Sequence, residues 1–236
     1  MAKAKKVVLF IVEGFTDKTA LGAILTNLLE NESVRFAITE GDITTRADVS
    51  ESNVVSCLNG FIKRELERNA FRYSDLKEIV HLIDTDGAFI PDSAVRENRE
   101  AKHVEYSEKE VLAPNRDRLI QRNRRKLRLV RLLRGKREIR KKPYRMFYFS
   151  RNLEHALHNE IRTLTSAEKM RLAESLEASF IDSPSDFIGF MHSKEFLAPG
   201  DYGKSWEFIE EGSRSLERWS NFGIYFDAEP TMDTDS

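Results

Sequence analysis

Val7-Val8-Leu9-Phe10-Ile11-Val12 is the stretch that most limits the fold. Six consecutive apolar residues, mostly β-branched, suit a strand covered on both faces, as in a parallel sheet. Glu13 and Gly14 follow at once, and Asp17 comes four residues after Glu13. Open α/β sheets place their ligands at the C-terminal ends of their strands, so this strand would deliver a carboxylate there. Lys18 to Leu29 has helical apolar spacing through Ala20, Leu21, Ile24, Leu25 and Leu28. A plainer reading stays open for the same residues, with Glu13 as a solvated loop residue and Asp17 as a helix N-cap.

The pattern recurs. Val34 to Thr39 predicts a second strand ending in the turn Glu40-Gly41-Asp42, and residues 53–68 predict an amphipathic helix. Ile79 to Ile83 is a third apolar run, ending in Asp84-Thr85-Asp86-Gly87. Helix-length segments between the strands predict βαβ units and a parallel sheet. In extended chain, residues two apart point the same way, so Asp84 and Asp86 would share a side. Close carboxylates repel and favour either a cation or a raised pKa. A hard ion such as Mg²⁺ suits oxygen ligands. The bland alternative is a solvated Asp-Gly turn.

Cys57 is the only cysteine, which excludes an internal disulfide and a cysteine-rich zinc site and fits a reducing, cytoplasmic setting. No apolar run is long enough to span a bilayer, and the basic start followed by Glu13 does not read as a signal peptide. The net charge of −1 conceals a segregation. Residues 116–145 hold fifteen Lys or Arg against Asp117 and Glu138, which leaves −14 on the remainder. Leu119, Ile120, Leu127, Val130, Leu133 and Ile139 predict one basic helix over about 115–142, started by Pro114 and ended by Pro143. Arg122, Arg124, Arg125, Lys126, Arg128, Arg131, Arg134, Lys136, Arg137, Arg140, Lys141 and Lys142 are its candidate contacts to nucleic-acid phosphates. A helix docked on the acidic body and a membrane-surface helix are the competing readings.

Glu-Gly at the end of one core strand and Asp-x-Asp-Gly at the end of a later one resemble the TOPRIM domain. The segment from Phe10 to Leu21 is most similar to the overcoming-lysogenization-defect (OLD) nucleases and to small TOPRIM proteins of phage-defence and abortive-infection systems. Asp17 matches a further acid of the OLD-like pattern. After Tyr144 to Phe149, the segment Ser150-Arg151-Asn152-Leu153-Glu154 matches its final acidic motif, with Asn152 where an aspartate is common.

The resemblance implies a parallel four-stranded Rossmann-like sheet flanked by helices over residues 1–158. It carries a basic helical insertion at about 90–143. A helical extension at 159–226 and an acidic, disordered tail at 227–236 complete the chain. It further implies a cytoplasmic, Mg²⁺-dependent nuclease (Mn²⁺ as substitute, one or two ions) with Asp84 and Asp86 as metal ligands. Glu13 is then a ligand or general base, and Asp17 and Glu154 complete a second position. The DNA or RNA substrate stays open, as do a tRNA-cleaving toxin and a non-catalytic nucleic-acid-binding partner protein. So does the lysine that OLD enzymes place near the phosphate, for which Lys18, Lys136, Lys141 and Lys142 are candidates. Regulation would come from a separate ATPase or sensor subunit, and a homo-oligomer is compatible with the chain. His155 and His158 follow Glu154 on the same helix, where either could approach the metal site, although a histidine on a helix face is more often structural or exposed. Ser166 to Phe180 predicts a helix with a capping-box-like Ser166-x-x-Lys169, and 221–226 a last short strand or extended tail.

Overall fold

The computed structural model describes residues 5–39 and 41–227. Glu40 and the tail beyond Asp227 lie outside the described residues, and with them most of the expected acidic tail.

The protein is mixed α/β, with a mostly parallel central sheet flanked by helices, an arrangement compatible with a Rossmann-like fold. Strands β1 (Val7–Val12), β2 (Ser33–Ile38) and β3 (Leu76–Asp84) alternate with helices α1 (Phe15–Leu28) and α2 (Val54–Arg68). Three short strands follow, β4 (Val95–Glu97), β5 (Glu105–Tyr106) and β6 (Val111–Ala113), then helix α3 (Arg116–Arg134). The hairpin of β7 (Glu138–Ile139) and β8 (Lys142–Phe149) returns the chain to the main sheet. Helices α4 (Leu153–His158), α5 (Ser166–Phe180), α6 (Pro184–Met191) and α7 (Tyr202–Ile209) complete it.

The main sheet has the order β2-β1-β3-β8-β7. The first four strands are mutually parallel, and β7 pairs antiparallel with β8. All four parallel strands therefore end on one edge. All six residues of β1 are buried, and their alternation divides the interior. Val7, Leu9 and Ile11 join a core with α2, α3 and α7. Val8, Phe10 and Val12 join a second core with α1, α4, α5 and α6. A strand covered on both sides has no use for polar alternation, which is why the sequence shows none.

Several expectations need correction. The basic segment is not one helix over 115–142. The helix stops at Arg134 with Gly135 as its C-cap, and the chain turns into the β7–β8 hairpin. Arg140 and Lys141 form the two-residue turn, at φ 49° and 65°, the left-handed geometry that matches strand twist. The sheet has five strands rather than four, because β7 is too short to register as a periodic run. Helix α5 is capped by Thr165 and Glu168 in a reciprocal box, one residue earlier than the Ser166-x-x-Lys169 pairing. Residues 222–226 form a 3₁₀ turn rather than a strand. The segment before it crosses β8, where Ser220 bridges Phe149 and the Asn221 side chain accepts from the Tyr148 amide at 2.8 Å.

The insertion has a small core of its own. Strands β4, β6 and β5 form a three-stranded sheet, and Val95, Val111, Leu119 and Ile120 pack there with Leu216. The C-terminal half of α3 belongs instead to the main core, through Leu129, Val130 and Leu133.

Candidate functional site

Four strand ends bring their following residues to one edge. After β1, Gly14 caps α1 in an extended conformation, and its amide donates to Asp17 Oδ2 at 2.8 Å. Asp17 is therefore the third residue of the helix and holds the turn closed. After β2, the Gly41 amide donates to the Glu13 carbonyl at 2.9 Å, and the Thr39 hydroxyl to the Val12 and Gly41 carbonyls. These bonds place Asp42 beside Glu13. The Thr44 amide donates to Asp42 at 2.7 Å.

At the end of β3 the Asp84 amide donates to Glu13 Oε1 at 3.2 Å. Thr85 is fully buried and its hydroxyl accepts from the Arg151 amide at 2.7 Å. Asp86 then leaves the strand with φ 48°, and its amide donates to the Arg151 carbonyl. The two aspartates are thus arranged by a left-handed turn, not by the pleat of an extended strand. Gly87 follows at φ 64°, where an added Cβ would lie 2.7 Å from Leu216 Cδ2. After β8, Asn152 caps α4 by accepting from the His155 amide at 2.8 Å, and Glu154 is buried. The cap explains Asn152, because Asn and Asp serve equally well there.

Two lysines meet these acids. Lys126 of α3 is fully buried, with Nζ 2.7 Å from Asp42 Oδ2 and 2.8 Å from Asp86 Oδ2. Lys169 of α5 lies 3.1 Å from Glu154. Arg122 Nη2 donates to the Asp86 carbonyl at 2.8 Å, with Nη1 3.8 Å from Asp86 Oδ2. The charges act on one another. Burial pushes Asp84 well above the usual carboxylate range, and Glu13, Asp17, Asp86 and Glu154 push it further. Burial likewise raises Glu13; Lys126 opposes the shift while Asp42 and Asp86 add to it. Asp17 is raised to about 6, first by burial and then by Glu154, against the Gly14 amide and Lys169. Burial alone would raise Asp42, but Lys126 and Thr44 bring it below its ordinary value. Both lysines are held charged. Burial works against each, and the acids outweigh it, chiefly Asp42 and Asp86 for Lys126 and Glu154 for Lys169.

The fold therefore gathers Glu13, Asp17, Asp84, Asp86 and Glu154 on one edge and adds Asp42, Lys126 and Lys169, whose roles the sequence does not reveal. Asp42 is visible only as a turn residue, and the two lysines only as members of polar helix faces. Among the described residues, no three His, Cys, Asp or Glu side chains form a ready metal cage. His155 is buried, with a pKa pushed down to about 4 by burial and by Arg151, and His158 is lowered by burial.

The basic helix is spent largely on internal partners. Arg124 pairs with Asp92, Arg128 with Glu51 at 2.8 Å, and Arg131 and Arg134 with Glu210. Arg125 reaches the Thr45 carbonyl at 3.4 Å, and Lys142 donates to the Leu76 carbonyl at 2.7 Å. Arg140 stacks over Tyr73, while Lys136, Arg137 and Lys141 are exposed. Of the twelve cations expected to meet phosphate, Lys126 has no accessible surface at all.

Comparison with protein-family models, curated proteins and solved structures returned no match. Among the described residues no helix is long and apolar enough to cross a membrane.

Proposed function

We propose that the protein is a metal-dependent nuclease of TOPRIM type, cleaving phosphodiesters at the edge where β1, β3 and β8 end. One observation carries this reading: six carboxylates, from Glu13, Asp17, Asp42, Asp84, Asp86 and Glu154, face only Lys126, Lys169 and Arg122 among the described residues. Burial is the first cause that raises Asp84 and Glu13, the neighbouring carboxylates add to it, and an added cation would relieve the charge part of the shift.

The donors are all oxygen, which suits Mg²⁺ or Mn²⁺. Mg²⁺ is usually held by one or two carboxylates with water and substrate phosphate, so a complete protein cage is not required. Asp84 and Glu13 are the residues that would hold it, with Asp17 and Glu154 beside them. Bound there, the ion would supply charge neutralisation to the transferring phosphoryl group. Where Glu13 does not hold the ion, its carboxylate, raised above its ordinary value by burial, is the group placed to accept a proton from an attacking water. Asp42 and Asp86 fix Lys126, and Lys126 in turn holds Asp86 in place. Lys169 is the more accessible of the two ammonium groups and the one placed to meet a phosphate oxygen.

The test is cleavage of plasmid, single-stranded DNA and tRNA by the purified protein with Mg²⁺, Mn²⁺ or EDTA. Wild type should cut only with metal, and Asp84→Ala should lose at least 100-fold in rate, on the scale of removing a stabilising group in phosphoryl transfer. Equal cutting by Asp84→Ala and wild type would refute the reading. A second reading, a nucleic-acid binder without catalysis, is favoured by Lys126, whose ammonium already sits between two of the edge carboxylates, Asp42 and Asp86. It predicts nucleic-acid binding that metal and Asp84→Ala leave unchanged.

A further inference from the structure

A groove runs beside the acid edge, between the loop at 45–47, the segment 102–104 and the first half of α3. Its volume is about 690 Å³, within the range of small-ligand sites. Lys102, Arg118, Arg122 and Arg125 line it with His103, and among the described residues no Asp or Glu does. Lys102 and Arg118 are exposed, and among the described residues neither they nor Arg125 has a carboxylate within ion-pair distance. This sets them apart from Arg124, Arg128, Arg131 and Arg134 of the same helix, each of which has one.

The spacing is regular. Arg118, Arg122 and Arg125 recur every three or four residues, so one face of α3 presents them over about 10 Å. The opposite partner of Arg122 is Asp86, so the groove ends at the acid edge. Its walls are not only cationic. Val104, Pro114 and Leu119 supply apolar surface, and Gln121 an amide. Cations for phosphate with apolar surface and a ring for a base is the usual composition of a single-strand site.

We infer that this groove binds nucleotide phosphate, with Lys102, Arg118 and Arg125 taking the phosphates and the His103 side lodging a base. At this volume the occupant is one or two nucleotide units, not a duplex. Two sources share that chemistry: the end of a single strand, or a free nucleotide. A strand as the source rests on the nuclease reading, since Arg122 would lead it to the carboxylates. Affinity for nucleotide phosphate does not.

The test is fluorescence anisotropy of the full chain with a labelled six-nucleotide single strand in EDTA, where cleavage is suppressed. ATP and a hairpin duplex serve as competitors. Lys102→Gln, Arg118→Gln and Arg125→Gln should each weaken strand binding about 3- to 10-fold. Each should also lower the slope of log affinity against log salt by about 0.7. Lys63→Gln, an exposed cation on α2 paired with Glu67, controls for net charge and should leave both unchanged. Circular dichroism checks that each variant is folded. Displacement of the strand by ATP, or ATP binding alone that is weakened by the same three variants, also supports the site and assigns its source. Binding equal in wild type and all three variants, or no binding of strand or nucleotide, overturns it. If that happens while Asp84-dependent cleavage persists, the groove fails and the nuclease stands. Groove binding without cleavage gives the reverse.

Discussion

Lys126 and Lys169 approach one row of carboxylates from opposite faces of the sheet, and the two sides are built to different standards. On the α3 side, Lys126 has no exposed surface, and two acids lie within 2.8 Å of its ammonium. Asp42 there is stabilised as an anion. On the α5 side, Lys169 keeps about a third of its side chain exposed and, among the described residues, pairs with Glu154 alone, while Asp17 and Asp84 are raised. The first side is closed electrostatically. The second has charge left over and solvent access, so it is where an additional cation or a phosphate would be accommodated.

The largest effect should come from the closed side. Lys126→Met keeps the length of the side chain but leaves Asp42 and Asp86 without their cation. Breaking a buried pair in this way costs about 3–5 kcal/mol. Urea unfolding at pH 7 measures it, and a loss under about 1 kcal/mol would mean that the closed side is no more closed than the other. Lys169→Met should cost less, about 1–2 kcal/mol, because water can replace part of what is lost. It should also move Asp17 further upward, since Lys169 lowers it, and a carbon-detected NMR titration would show the displacement.

The smallest effect concerns Asp17 and is visible in its pH dependence. Its folded pKa of about 6 lies above the ordinary 3.8, so the native state binds the proton more tightly than the unfolded chain. Asp17 therefore favours folding below about pH 4, and that contribution is lost as pH rises to about 6. Asp17→Asn retains an acceptor for the Gly14 amide without the charge. In EDTA it should leave stability unchanged near pH 4 and raise it at pH 7. A constant difference across that range would show that Asp17 is not the titrating group.

The difference between the two sides also marks the limit of sequence reading. Strand ends followed by acids are legible because burial on both faces leaves an uninterrupted apolar run, as in β1 and β3. Helix α5 is legible from its period. The partners of the acids are not, because Lys126 lies 40 residues from Asp86 and is surrounded by other cations. In a run of fifteen basic residues, nothing local distinguishes the one that is buried from those that are solvated. The same density misplaces the basic surface. Arg128, Arg131 and Arg134 look like phosphate ligands until Glu51 and Glu210 are brought against them by the fold. Among the described residues, Lys102 and Arg118, outside the densest part or at its edge, have no carboxylate partner, and neither do Lys136, Arg137 and Lys141 beyond the end of α3. Strands of two or three residues, such as β5 and β7, carry too few side chains to show any period.

The insertion that carries Lys126 lies between β3 and β8, which are neighbours in the sheet. Closing a longer loop between paired strands costs little, about 0.6 kcal/mol for each doubling of its length. Chain length therefore places few limits on what could be exchanged at this position over evolutionary time. Lys126 does place one. Any segment substituted between β3 and β8 would have to return a positive charge to the gap between Asp42 and Asp86. Homologues that vary freely in the size of this region should therefore still keep a basic residue whose side chain reaches that gap.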